Sequence, residues 1–216
     1  MPSAPARTKT WQQTKSELTR TSILDAAVEC FFELGYRNTT TEHVSTKAGV
    51  SRGAMLHHFP TRLELIKATV LHLNRKRLEM FVEGETTVQR GAVHSRVEEG
   101  IDAYWEQLNT PVFVVFMELK MAARTDAELE KVLLPALDDF QAAWRENTRR
   151  IFPDLALSEA YERAAYLTLY LLEGMAMARI VDGPRVPVSM MLGWLKRELR
   201  RSFQDVLGRV ERPPEP

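Results

Sequence analysis

The sequence predicts an all-α chain. Three observations point that way. Apolar residues recur three and four positions apart rather than at every second position. No alternating run bounded by turn residues marks a strand. Glycine, proline and Ser/Thr punctuation divides the 216 residues into segments of helical length.

The elements follow in order. Residues 1–15 carry no pattern and are expected to be a disordered arm. From Ser16 the pattern is helical. Ile23, Ala27, Cys30, Phe31 and Leu34 share a face, and Gly35 stands where a helix C-cap wants glycine. The run Thr39-Thr40-Thr41 offers an N-cap to a short second helix, about Glu42–Ala48, which Gly49 ends. Ser51 caps a third, from Arg52 to about Phe59, before Pro60. Thr61, with Glu64 three positions on, reads as the capping box of a fourth helix. Continued to Val82 it would span about 30 Å, enough to connect two domains. The polar stretch Glu83–Gly91 holds two glycines and reads as a loop. Helical segments follow at 92–109, 112–124, 127–151, 159–181 and 188–208, separated at Pro111, Thr125-Asp126, Pro153 and Gly183-Pro184. Residues 211–216 read as a disordered tail.

Composition is that of an ordinary globular protein, 44% apolar and 27% charged. Net charge is zero. Its distribution is uneven: residues 1–62 hold eight lysines and arginines against five aspartates and glutamates, a net +3 that leaves −3 for the remainder. That permits a basic end facing nucleic acid. Cys30 is the single cysteine, so no intrachain disulfide can form, as suits a reducing compartment. The N-terminus has no apolar secretory segment, and no stretch of about 18 consecutive apolar residues occurs. A cytoplasmic protein without a membrane partner is expected. Gly-rich phosphate loops, metal-ligand spacings and the Gly-x-Ser-x-Gly elbow are missing, so neither an enzyme nor a cofactor is expected.

Function is concentrated in Thr39–Phe59, TTTEHVSTKAGVSRGAMLHHF. Two short helices meet at a tight turn around Gly49, and Val44, Ala48, Val50, Met55 and Phe59 are positioned to fix their angle. Such short helices cannot stand alone in water, so the flanking helices must carry them. The gain is a face free to enter a DNA major groove. Arg52, Gly53, Ala54 and His57 are the candidates for reading bases. Arginine can fork onto guanine, and small residues let the backbone come close. Thr40, Thr41, His58 and Arg62 are the candidates for holding phosphates. His57 and His58, adjacent on a helix, point about 100° apart and make a poor metal chelate.

The stretches FFELGYRNTT, AGVSRGAM and HHFPTRLEL, in that order over about residues 16–70, resemble the DNA-binding domain of tetracycline-repressor (TetR) family regulators. Thr61-Arg62 is similar to the family's usual Ser-Lys opening of the fourth helix, while Leu56 stands where the family usually has a phosphate-binding tyrosine. The resemblance implies a DNA-binding domain over residues 16–62 and a larger effector-binding and dimerisation domain over 63–210, with 62–82 as the connecting helix. It implies a homodimer that binds a palindromic operator and is released by a small, largely apolar effector. A protein of the same fold controlled by a partner, or used architecturally, is the alternative. Trp105, Phe113, Phe116, Met117, Met121, Tyr166, Tyr170 and Met175 could line an effector pocket, with Glu118 and Glu173 as polar anchors. Leu167, Leu171, Gly174 and Ala178 share one face of the penultimate helix, and Leu192, Leu195, Leu199 and Phe203 form a stripe on the last. The resemblance makes these the dimer interface.

Overall fold

The computed structural model describes residues 11–88, 93–151, 153 and 159–210. Nine α-helices and one 3-10 turn make up the described part: α1 Trp11–Leu34, α2 Thr41–Lys47, α3 Arg52–His58, α4 Arg62–Val88, α5 Val93–Leu108, α6 Pro111–Ala123, α7 Ala127–Ile151, α8 Glu159–Asp182, the turn Gly183–Arg185, and α9 Val188–Val210. No strand occurs among the described residues. The chain divides into two compact units, 1–72 and 73–216, so the first eleven residues of α4 belong to the first unit.

Two boundaries differ from expectation. α1 begins at Trp11, five residues before Ser16. The Lys15 ammonium lies 5.4 Å from the Trp11 ring, one turn away, and this local contact supports the first turn. The predicted loop at 83–91 is helical as far as Val88. A single glycine, Gly84, costs a helix only about 1 kcal/mol, too little to end one already running for twenty residues. Residues 89–91, the arm at 1–10 and the tail at 211–216 lie outside the described residues.

The first unit is built on Ile23, Leu24, Ala26, Ala27 and Cys30 of α1, Val44 of α2, Met55 of α3, Phe59, and Leu65 of α4. Gly35, at φ +82°, ends α1 in the left-handed conformation that glycine adopts without penalty. Thr39 is buried and shares its hydroxyl hydrogen between the Cys30 and Gly35 carbonyls (3.1 and 2.9 Å), closing the loop that leads to α2.

The second unit packs α5, α8 and α9 around Ile101, Tyr104, Leu108, Leu172, Met175, Leu195, Leu199 and Phe203, with Phe113 of α6. α6 and α7 pair beside them through Phe116, Leu119, Leu129, Leu133 and Ala136. α9 is also tied to α5 by Lys196 to Asp102 (2.6 Å) and by Arg200 to Glu98. This corrects part of the interface expectation. Leu195, Leu199 and Phe203 are 0%, 5% and 2% exposed within one chain, so their stripe serves the unit's own core. Fully burying one such side chain contributes about 2 kcal/mol, and none is left over for a partner.

Candidate functional site

α2 and α3 are each seven residues long and are held by caps and by the core rather than by length. Thr40 opens α2: its hydroxyl accepts the His43 N–H (3.2 Å), and His43 Nδ1 accepts the Thr40 N–H (3.4 Å). Ser51 opens α3 by accepting the Ala54 N–H (3.2 Å). Between them the Val50 N–H donates to the Ser45 carbonyl (3.0 Å), and Gly49 takes φ +66°. Val44, Met55 and Phe59 are at most 1% exposed, with Ala48 and Val50 packed against them. The helix-turn-helix angle is therefore fixed from inside.

The outward face is what remains. Arg52, Gly53 and His57 are exposed along α3, and Ala54 is half-buried between them. Arg52 forms no ion pair among the described residues. Glycine at 53 is not demanded by the fold, since an added Cβ would meet only Ser51 Oγ, at 3.9 Å. Thr40 is exposed and Thr41 half-buried at the start of α2, with the Thr40 hydroxyl already engaged as a cap.

Three basic residues near this face are tied into the fold. The Arg62 guanidinium donates to the Tyr36 carbonyl (Nη2, 3.0 Å) and to the Thr39 carbonyl (Nε, 3.4 Å), and lies 5.1 Å from the Tyr36 ring centre. Arg20 of α1 sits 4.4 Å from the Phe59 ring centre and donates to the His58 carbonyl (3.4 Å). Lys47 pairs with Glu33 and Glu29 of α1. The hydrogen bond to Glu33 raises its pKa, so its charge is spent on α1. Sequence reasoning had passed over Arg20 and Lys47, because both pairings join residues distant in the chain.

His58 is half-buried, and burial, with help from His57 and Arg20, holds its pKa below the usual 6.5. At neutral pH it is a neutral imidazole rather than a cation. The His57 and His58 rings stand 5.5 Å apart at 66°, and no group of three metal-ligating side chains assembles among the described residues. Cys30 is buried and its thiol pKa is pushed up, chiefly by burial. It is a core residue of α1.

In the second unit, a cavity of about 70 Å³ opens among α4, α6, α7 and α8. Phe116, Tyr166, Tyr170 and Glu173 line it. Phe113 lines a second cavity of about 20 Å³. Trp105, Met117, Glu118, Met121 and Met175 line neither. Met121 is 59% exposed, and Trp105, Met117 and Met175 belong to the α5–α8–α9 core. The residue missed from sequence is Arg77 of α4, which lines both cavities. Its signal was present: it interrupts the apolar stripe Ile66, Val70, Leu73, Phe81 of its helix.

The family model for bacterial regulatory proteins of the tetR family matches residues 23–69, which span the end of α1 through the start of α4. An uncharacterised HTH-type transcriptional regulator of Mycobacterium tuberculosis is 28% identical over 175 residues, covering 78% of this chain and 86% of that relative. A transcriptional regulator of Rhodococcus sp. has the same fold, with a TM-score of 0.67 at 20% identity over 86% of this chain and 96% of its own. The multidrug binding protein EbrR, complexed with imidazole, gives a TM-score of 0.54 at 18% identity over 85% of this chain and 93% of its own. With the helix-turn-helix held between α1 and α4 as described, residues 23–69 form a DNA-binding domain of the tetR type, and the chain as a whole is similar to HTH-type transcriptional regulators.

Proposed function

We propose that the protein is a homodimeric repressor that reads a palindromic operator through α3 and is released from it by a small ligand bound in the second unit. The observation that carries the reading is the division of α3. Met55 and the following Phe59 face the core, while Arg52, Gly53 and His57 are exposed and uncommitted to the fold. Arg52 forks onto guanine or phosphate, Gly53 and Ala54 let the backbone approach the bases, and His57 supplies an N–H donor. Thr40 and Thr41 bring hydroxyls to the flanking phosphates.

Two copies would place two α3 helices in successive major grooves, about 34–36 Å apart. The outer face of α8 supports that pairing. Leu167 and Val181 are 50% and 87% exposed, and Leu171, Gly174 and Ala178 lie between them at helical spacing. Met190 and Trp194 of α9, 63% and 41% exposed, replace Leu195, Leu199 and Phe203 as its contribution. α8 is long and apolar enough to cross a bilayer by composition. Its Leu172, Met175 and Ala176 pack into the core instead, and Glu173 bonds to Tyr104. A protein partner therefore suits the exposed face better than lipid, in a cytoplasmic protein.

Ligand release draws support from the cavity on α4, the helix that carries residues of both units, and from a fold neighbour that binds drugs. A ligand acts only through its different affinity for DNA-competent and incompetent states. A regulator without a small-molecule effector is the second reading, and the small cavity volume favours it.

The test is selection of bound duplexes followed by footprinting at fixed salt. Arg52→Ala combined with His57→Ala should abolish the footprint while leaving the melting temperature within about 1 °C, as expected for exposed positions. Retained operator binding by that double variant would remove α3 from the reading role.

A further inference from the structure

α4 carries a charged group where its stripe calls for another apolar one. Arg77 is only 8% exposed. Its guanidinium carbon lies 3.4 Å from the Phe116 ring centre and 3.9 Å from that of Phe140, so aromatic rings flank the group. Nη1 is buried with no hydrogen-bond partner among the described residues. Burial pulls the Arg77 pKa down to about 10, so the group stays protonated at neutral pH.

The cavity of about 70 Å³ beside it has a definite charge. Arg77, Lys120 and Arg145 line it against one acid, Glu173. Glu173 is already shared: the Tyr104 hydroxyl donates to Oε1 (3.3 Å), and Lys120 Nζ lies 4.0 Å from Oε2. Toward Arg77 Glu173 acts through its charge alone, and Nη1 is left without a hydrogen-bond acceptor among the described residues. The charge of Glu173 favours the guanidinium but is shared with Lys120, so the cost of burying Arg77 is only partly offset, and an apolar side chain between the two rings would suit the empty protein better. Retaining a guanidinium here makes sense if its partner arrives from outside the chain.

We infer that the second unit takes a small carboxylic acid with an apolar body, its carboxylate received by Arg77 and its body by Phe116, Phe140 and Leu169. A carboxylate matches the planar fork of a guanidinium. Glu173 disfavours a second negative charge, which argues for a monoanion over a phosphate. The enclosed space is about half that of a ~150 Å³ cavity that admits benzene. It fits the head group and a short stem, with the rest of the body lying along half-buried Trp144 and exposed Tyr170. The inference rests on the proposal that this unit binds an effector, and it replaces the expected glutamate anchors by a cationic one.

The experiment uses the full chain with benzoate, phenylacetate and hexanoate, each beside its amide. Thermal shift and calorimetry are the readouts. The acids should raise the melting temperature and bind about tenfold or more tighter than the amides. Arg77→Met should melt no lower than the parent protein and lose the preference for acids. Arg77→Lys, which keeps the charge without the fork, should keep the preference at about tenfold weaker affinity, and it carries the test if Arg77→Met does not fold. Equal binding of acid and amide, undiminished acid binding by the variants, or no acid binding at millimolar concentration each overturns the inference. Operator release is measured separately. Release by amides or amines instead of acids overturns the inference and leaves the effector reading standing. Acid binding that never releases DNA upholds the inference and removes the effector reading.

Discussion

Arg62→Ala separates two roles for a residue that the sequence offers as a phosphate contact. In the structure its guanidinium already holds the loop between α1 and α2. The 3.0 Å bond to the Tyr36 carbonyl is a charged-donor hydrogen bond. Because Arg62 is exposed, the lower end of the usual range applies, about 1.5 kcal/mol. The 3.4 Å contact to Thr39 is near the outer limit and adds little. Stacking on Tyr36 adds about 0.5 kcal/mol at an exposed site. The loss sums to about 2 kcal/mol. For a chain of 216 residues melting in one transition, that lowers the melting temperature by about 4–8 °C. Calorimetry reads this directly. Fluorescence anisotropy on the selected operator, repeated over a salt series, reads the rival role. A lost phosphate contact flattens the slope of log K against log salt by about 0.9, whereas a lost strut leaves it unchanged. A melting temperature within about 1 °C of the parent, together with the flatter slope, would refute the strut.

Three further outcomes follow from the same domain. Gly49→Ala places a side chain at φ +66°, where the added Cβ meets nothing within 4 Å, so the cost is backbone strain alone, about 1–2 kcal/mol; Gly53→Ala should be neutral or slightly stabilising yet weaken operator binding, and denaturant titration beside anisotropy distinguishes them. His58 is held below its usual 6.5, so as pH falls through about 6.5 the unfolded chain takes up a proton before the folded one, and stability present above that pH is lost below it. Melting temperature should fall between about pH 7.5 and pH 5.5, and His58→Gln should flatten the fall; parallel profiles would show that other groups set it.

The helix-turn-helix was legible because its determinants are local. Thr40, Ser51 and Thr61 each act on a residue three positions away, and Gly49 acts on its own backbone. Such signals survive in a bare string of residues. The stripe Leu192, Leu195, Leu199, Phe203 is legible as apolar, and the resemblance assigns it to a dimer interface, but periodicity does not say what it packs against. The answer came from Tyr104 and Leu172, far away in the chain. Arg62 shows the same limit for charge: an exposed arginine at a helix start looks available until the Tyr36 carbonyl is placed beside it. Arg77 has one local mark, its place in the apolar stripe of α4, but the Phe116 and Phe140 rings that enclose its charge lie on α6 and α7, far away in the chain.

The sidedness of α3 bears on how such a protein can change over generations. Residues that keep the helix in place, Met55 and the adjoining Phe59, are sealed in the core, while Arg52, Gly53 and His57 owe the fold nothing. With α3 as the proposed reading helix, a lineage can exchange the outward set with little thermodynamic penalty and explore new target sequences from an unaltered scaffold. The same freedom is denied to Arg20 and Arg62, whose replacement unsettles the platform before it alters what is read.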